Sequence, residues 1–259
     1  MKIGLFDSGL GGLTVLKAVA KALPEYDYEF YGDTANLPYG DKSEADIYEF
    51  TKRGVEHLFQ RDCALIIVAC NTASAETLRR LQDEYLPDAY PERRILGVII
   101  PTIEEVIEAG QKNVLLIGTR RTIESQKYEL AFAKFVDAPA LVTEATPILV
   151  PLIEMGDTEP AIAEVLTVVA GAGEVDGVVL GCTHYCVLKE ALRAELPTSV
   201  KIFSQDEIIP TKLAQYLENH PEIKSKLSRG GSRNIFLTDA SPRYDAVIRE
   251  LLGGAFIEA

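Results

Sequence analysis

The chain has 259 residues, and 47% of them are hydrophobic, so it can bury a substantial core as one large domain or two modest ones. Its formal charge is −13, from 39 acidic and 26 basic side chains, and such a field repels nucleic acids and anionic membranes. Four cysteines are too few for a disulfide framework, and no apolar run reaches the roughly 18 residues that a membrane span needs.

The first half of the sequence alternates short strand-forming segments with amphipathic ones. Strands are predicted at residues 3–6, 29–32, 65–69 and 95–100, and helices at about 13–22, 44–60 and 73–85. The N-terminal sequence MKIGLFDSG enters the first strand without a signal-peptide core, so we expect a cytoplasmic protein. This alternation predicts parallel strands joined by helices.

The pattern restarts in the second half. Strands are predicted at residues 114–117, 177–180 and 200–203, helices at 123–135, 161–170, 188–195 and about 207–217, and the tail from residue 234 predicts a last strand and helix. We therefore expect an α/β fold of two pseudo-symmetric lobes, each a mostly parallel sheet flanked by helices, with the active site in the cleft between them. Residues 1–97 and 210–259 would form the first lobe, and residues 98–209 the second.

A glycine-rich turn follows the first predicted strand, in GLFDSGLGGLTVL. It is similar to a dinucleotide-binding turn, but the third glycine is replaced by Thr14, and Asp7 places a carboxylate where a pyrophosphate would lie. A nucleotide-binding dehydrogenase is therefore disfavoured. Asp7 and Ser8 remain at a strand's carboxyl end, where Asp7 either faces a ligand or caps the helix. The loop GDTANLPYG places Tyr39 at the same sheet edge.

Two cysteine motifs stand at corresponding places in the two halves. LIIVACNTAS contains Cys70, and GVVLGCTHYC contains Cys182; in each, an apolar strand ends in a small residue, a cysteine and polar side chains. The first helical turn after Cys70 offers free N–H groups that suit a carboxylate, and His184 is within reach of Cys182. Helix N-termini and an imidazolium lower thiol pKa values, so we expect both cysteines to favour the thiolate.

Two acid/base thiols on opposite walls of a cleft are typical of inversion at a carbon centre, since one removes a proton from one face while the other delivers a proton to the opposite face. A single nucleophilic cysteine would instead indicate acyl transfer. Each cysteine could also be a packing residue. A metal site from Cys182, His184 and Cys186 is disfavoured by its spacing, and no metal is expected.

The chain resembles the glutamate racemases, cofactor-independent members of the aspartate/glutamate racemase superfamily. The matching blocks are FDSGLGGLTVL, DTANLPYG, ACNTASA, VPLIEMG and LGCTHY, with a weaker match in the LLG near the C-terminus. Aspartate racemases look like CNTAH and GCTE at the two cysteines, so Ser74 and His184 favour glutamate as the substrate.

The resemblance implies that Cys70 is the acid/base group for the D-enantiomer and Cys182 for the L-enantiomer. It implies that Asp7 assists Cys70, that His184 assists Cys182 and that Glu154 lies close by. The implied substrate contacts are Asp7, Ser8, Tyr39, Gly40, Asn71, Thr72, Thr183 and His184. The implied enzyme is a cytoplasmic homodimer without a cofactor, and it supplies D-glutamate for peptidoglycan. The alternatives are a relative acting on another substrate, such as aspartate, and a non-catalytic binding protein.

Overall fold

The computed structural model describes residues 1–239 together with Ser241, Tyr244 and Ile248. Its strands are, in chain order, β1 (Lys2–Asp7), β2 (Tyr28–Gly32), β3 (Cys63–Val68), β4 (Arg94–Gly97), β5 (Asn113–Gly118), β6 (Ala140–Ala145), β7 (Gly177–Gly181), β8 (Lys201–Phe203) and β9 (Arg233–Leu237). They form a first sheet in the order β4-β3-β1-β2-β9 and a second in the order β6-β5-β7-β8. Every recorded pair is parallel, which confirms the predicted α/β class.

Helices cover both faces of the sheets. They are α1 (Gly12–Ala22), α2 (Glu44–Gln60), α3 (Asn71–Arg80), α4 (Leu86–Ala89), α5 (Ile99–Glu108), α6 (Arg120–Glu124), α7 (Lys127–Phe132), α8 (Leu149–Met155), α9 (Thr158–Gly171), α10 (Lys189–Glu195), α11 (Gln205–Asn219) and α12 (Pro221–Lys224). Short 3-10 turns lie at Thr34–Asn36, Tyr39–Asp41 and Thr183–Leu188, and a π turn at Leu81–Tyr85 extends α3. Each helix of the described residues is too short or too polar to cross a bilayer.

Strand β1 shows why this sequence forms a sheet covered on two sides. Side chains alternate between the faces of a strand. Leu5 packs on one face with residues of α1 and α11, and Phe6 packs on the other with residues of α2. Both are fully buried, so the centre of the strand must be apolar on both faces.

The chain changes lobe through α11. This helix follows β8 of the second sheet, but Ile209 and Leu213 pack in the same core as Leu13 and Leu16 of α1. Strand β9 then pairs with β2 of the first sheet. The domain boundaries at residues 97 and 210 stay a proposal.

Several predicted elements differ from the structure. The strand predicted at 95–100 ends at Gly97, and the apolar run after it begins α5, where Pro101 lies in the first turn and needs no N–H bond. The helix predicted at 123–135 is divided into α6 and α7 by Gln126, whose φ is 54°. Strand β6 and helix α8 were not predicted. Of the helix predicted in the tail, the structure describes only Tyr244 and Ile248.

Candidate active site

The carboxyl ends of β1, β3 and β7 meet at a cavity of about 280 Å³ between the two lobes. Ligands in open parallel sheets bind at this end of the strands. The wall of the cavity contains every predicted site residue except Asp7: Ser8, Tyr39, Gly40, Cys70, Asn71, Thr72, Glu154, Cys182, Thr183 and His184. The two cysteine motifs, which lie far apart in the sequence, therefore share one cavity.

Cys70 occupies the N-cap of α3. Its Sγ accepts a hydrogen bond from the backbone N–H of Ala73 at 3.5 Å and lies 3.3 Å from the Ser8 hydroxyl. Burial, reinforced by the negative charge of Asp7, nevertheless raises the pKa of the Cys70 thiol to about 12. The expectation that the site of Cys70 favours a thiolate is therefore wrong, because desolvation outweighs the donors.

Cys182 has a different electrostatic environment. Its Sγ lies 3.7 Å from Nδ1 of His184, and Nε2 of the same ring lies 3.3 Å from a carboxylate oxygen of Glu154. Burial by itself lowers the pKa of His184, but the contacts with Cys182 and Glu154 outweigh it and raise the pKa to about 10. At neutral pH the ring is therefore an imidazolium, and it lies next to the Cys182 sulfur.

Asp7 lies behind the cavity wall and links the two lobes. It is fully buried, its Oδ2 accepts from the Gly9 N–H at 3.1 Å, and its Oδ1 accepts from the Thr183 hydroxyl at 3.2 Å. Burial raises the pKa of Asp7, against the lowering effects of His184 and the hydrogen bonds. Direct contact between Asp7 and a substrate stays a prediction.

The glycine-rich turn allows the lobes to approach closely. A Cβ atom on Gly11 would lie 2.5 Å from the Thr183 hydroxyl oxygen and 2.8 Å from the backbone nitrogen of His184. A Cβ atom on Gly12 would lie 2.6 Å from the Cβ of Asp7. Such distances are too short for any side chain. The glycines are thus explained by packing of the turn against the second cysteine motif.

Hydrogen bonds fix the polar side chains around the cavity. The Tyr39 hydroxyl donates to Asp33 Oδ2 at 2.6 Å, and burial raises the pKa of Tyr39 well above its usual value. The Thr72 hydroxyl lies 2.8 Å from that of Thr119 and 3.2 Å from that of Thr122. The contacts of Thr72 join α3 of the first lobe to the start of α6 in the second.

Sequence reasoning missed Thr119 and Arg120, which both line the cavity. They follow β5, so the same strand-end rule that selected Asp7 and Cys70 would have found them. Arg120 is exposed, and it is the only lysine or arginine among the lining residues that the structure describes.

Other residues considered from the sequence lie elsewhere. Ser74 is buried and donates to the Val68 carbonyl at 2.7 Å, and Cys63 and Cys186 are buried outside the cavity wall. Within the described residues no group of three or more His, Cys, Asp or Glu side chains could hold a metal ion. A second cavity of about 410 Å³, mainly between α5 and α11, contains none of the predicted site residues.

Comparisons with known proteins find a matching family, similar sequences and similar folds. The Asp/Glu/hydantoin racemase family model matches residues 8–206. The glutamate racemase of Jannaschia sp. (strain CCS1) is 40% identical over 94% of this chain and 93% of its own. The crystal structure of glutamate racemase isoform RacE1 from Bacillus anthracis has a TM-score of 0.86 and 30% identity, covering 97% of this chain and 94% of that one. The glutamate racemase from Francisella tularensis in complex with D-glutamate has a TM-score of 0.82 and 28% identity, covering 99% and 95%.

Proposed function

Because the chain belongs to the Asp/Glu/hydantoin racemase family, we propose that it interconverts L- and D-glutamate by two-thiol acid/base catalysis without a cofactor. The observation that carries this proposal is the position of Cys70 and Cys182, which line one cavity from different lobes. Glutamate is the substrate in the names of the two relatives that cover 94% and 97% of the chain.

In this reaction one thiolate removes the α-proton of glutamate and leaves a carbanion conjugated with the α-carboxylate. The opposite thiol then delivers its own proton to the other face of the α-carbon. The enzyme is left with the two protonation states exchanged, so it can act in either direction. No redox step and no covalent intermediate is needed.

The surroundings of the two cysteines differ in charge. The His184 imidazolium lies 3.7 Å from Cys182 Sγ. Burial and Asp7 raise the pKa of Cys70 to about 12, which keeps its thiol protonated. In this form Cys182 is the base and Cys70 the acid, which is the arrangement required to convert L-glutamate into D-glutamate if Cys182 serves the L-enantiomer.

The anionic substrate would be held by local donors against the overall negative charge. Ser8, Asn71, Thr72 and Thr183 line the cavity and provide hydroxyl, amide and backbone N–H groups. Residues Asn71 and Thr72 open α3, whose first N–H groups suit a carboxylate.

The experiment is racemisation of each enantiomer in deuterated water, followed by circular dichroism and by loss of the α-proton signal in NMR spectra. We expect the protein to racemise glutamate with deuterium incorporation and to leave aspartate unchanged. Cys70→Ala and Cys182→Ala should each lower kcat for racemisation at least about 1,000-fold, because each removes one of the two proton-transfer groups.

Cys63→Ala and Cys186→Ala are the matched controls, since both remove a buried thiol outside the cavity wall. Both controls should retain activity in proportion to their folded fraction. Lack of α-proton exchange with the unmodified protein, or racemisation that survives loss of both Cys70 and Cys182, would refute the proposed function.

We also propose that the D-glutamate serves peptidoglycan synthesis in the cytoplasm and that the enzyme is a homodimer. Deleting the gene should make growth depend on added D-glutamate, and sedimentation equilibrium should give twice the 28.4 kDa mass of the chain. Growth of the deletion strain without D-glutamate would contradict the role in peptidoglycan synthesis. A monomer at working concentration would contradict the homodimer.

A further inference from the structure

The side chain of Asn71 has only one of its two polar groups engaged. Its Oδ1 accepts a hydrogen bond from the Tyr128 hydroxyl at 2.7 Å, whereas its Nδ2 has no hydrogen-bond partner although it is buried. Asn71 is 1% exposed and lines the cavity. A buried donor without a partner destabilises a fold, so such a group in a cavity wall indicates a ligand that accepts its hydrogen bond.

Tyr128 approaches this amide from the other lobe. It lies on α7 and is fully buried in the core of the second sheet, together with Ile103 and Val179. Asn71 is the first residue of α3 and follows β3 of the first sheet. The hydrogen bond between them therefore forms only when the two lobes are in contact.

The direction of this bond decides which group Asn71 presents. An asparagine amide has an acceptor end and a donor end, and rotation of the amide by half a turn exchanges them. While the Tyr128 hydroxyl donates to Oδ1, the NH₂ group is the end left for the cavity. An anionic substrate needs a donor at this position, and a carbonyl oxygen there would repel it.

We propose that Tyr128 is a positioning residue that holds the Asn71 amide with its NH₂ group toward a carboxylate of the substrate. The inference rests on the proposed glutamate racemase function. Tyr128 itself is not part of the cavity wall, so it acts through Asn71 rather than on the substrate. The same hydrogen bond couples substrate recognition in the first lobe to contact with the second.

The test is Tyr128→Phe, which removes one oxygen atom and leaves the ring in the core. We expect KM for both enantiomers to rise about 10-fold, corresponding to about 1.4 kcal/mol of binding free energy, with kcat changed less than about twofold. Isothermal titration should show a similar rise in Kd for D-glutamate, measured in the Cys70→Ala background where turnover does not interfere.

Tyr28→Phe is the matched control. Tyr28 is also fully buried and donates its hydroxyl to a backbone carbonyl, that of Leu23, at 2.8 Å, but it does not line the cavity. Its loss should lower the melting temperature by an amount similar to that for Tyr128→Phe and leave KM unchanged. A purely structural role of Tyr128 predicts that the two variants behave alike.

A double-variant cycle separates positioning from other effects. If Tyr128 acts through Asn71, Tyr128→Phe will have no further effect on KM in an Asn71→Ala background. Unchanged KM and Kd in Tyr128→Phe, or a full additional rise in the Asn71→Ala background, would overturn the inference. If the unmodified protein does not racemise glutamate, the proposed function is refuted instead. The titration measures D-glutamate binding without turnover, so it still shows whether Tyr128→Phe weakens binding through Asn71.

Discussion

The imidazole Nε2 of His184 lies 3.3 Å from the carboxylate of Glu154. His184 is held by Cys182 on one side and by Glu154 on the other, and together these contacts overcome the effect of burial and raise its pKa to about 10. Glu154 lies on α8, an element that was not predicted from the sequence. The charge on His184 therefore depends on a helix that only the fold brings to the cavity.

Glu154→Gln should lower the pKa of His184, because it removes one of the groups that stabilise the imidazolium. With the pKa of His184 near 10, the imidazolium is present at neutral pH and is lost as the pH rises through that value. We expect the alkaline limb of the kcat/KM profile to move toward lower pH in the variant, with a severalfold loss at about pH 9. Glu159→Gln removes the same charge from an exposed position of α9 and should leave the profile unchanged. An alkaline limb that does not move in Glu154→Gln would contradict the assignment to His184.

Asp7→Asn should stabilise the fold at neutral pH while lowering kcat. Burial raises the pKa of Asp7, so the folded state binds a proton more tightly than the unfolded state and loses stability as the pH rises above the unfolded pKa of 3.8. The asparagine amide carries no charge, so it avoids that loss of stability, and it can still form hydrogen bonds with Gly9 and Thr183. We expect the melting temperature to rise by about 2–4 °C at neutral pH, and the gain to disappear below about pH 4.

Asp27 provides a control for which the melting temperature should change in the opposite direction. Burial acts to raise its pKa, but hydrogen bonds from Ser228, Ser232 and Gly230 outweigh this and hold the pKa well below its usual value. Its charged form thus stabilises the fold above the unfolded pKa, and that stability is lost as the pH falls. Asp27→Asn should therefore lower the melting temperature at neutral pH. If both asparagine variants shifted the melting temperature in the same direction, the sign for Asp7 would be wrong.

Gly11→Ala should impair activity by forcing the lobes apart. The new Cβ would lie 2.5 Å from the Thr183 hydroxyl oxygen, and the backbone at His184 would have to move. Overpacking of this kind costs about 1–3 kcal/mol, and a displacement near the reacting groups reduces rate further. We expect kcat/KM to fall at least about 100-fold. Gly171→Ala, where a Cβ meets no atom within 4 Å, is the control and should be fully active. Normal activity of Gly11→Ala would show that the close contact is not required.

Arg120→Gln should weaken capture of the anionic substrate. Arg120 is an exposed cation in the cavity wall of a protein with a net charge of −13, so its field acts on glutamate as it enters. We expect kcat/KM to fall about 3–10-fold at low ionic strength and the difference to shrink above about 0.1 M salt, where the Debye length is near 10 Å. Lys134→Gln is the control, since it removes a positive charge outside the cavity wall. Arg121 is less suitable because it is paired with Glu76. An equal effect of Lys134→Gln would refute a local role of Arg120.

The cysteine motifs could be predicted because strand ends are local features. An apolar segment such as β3 or β7 stops where polar residues begin, and the carboxyl ends of parallel strands form the ligand-binding edge of a sheet. That rule places Cys70, Cys182 and Asp7 without knowledge of packing. It also applies to Thr119 after β5, which was overlooked because no motif marks it.

Other features depended on contacts that the sequence does not state. The segment after Gly97 has a strand-like apolar pattern but forms α5, because Ile103 and Val106 pack against the second sheet. The break between α6 and α7 comes from one residue with positive φ, Gln126. The hydrophobic periodicity of the sequence marks neither the start of α5 nor the break at Gln126.

The sequence by itself determined the α/β alternation, the paired cysteine motifs and the residue types offered to a ligand, since these follow from local hydrophobic pattern and chain order. Only the tertiary structure decided the protonation states and orientations in the cavity. Burial and the charge of Asp7 raise the pKa of Cys70. The contacts of His184 with Cys182 and Glu154 raise its pKa against the effect of burial. The Asn71 amide accepts a hydrogen bond from Tyr128 of the other lobe. Desolvation and Coulomb interactions depend on distances in space, and those distances exist only once the lobes have packed together.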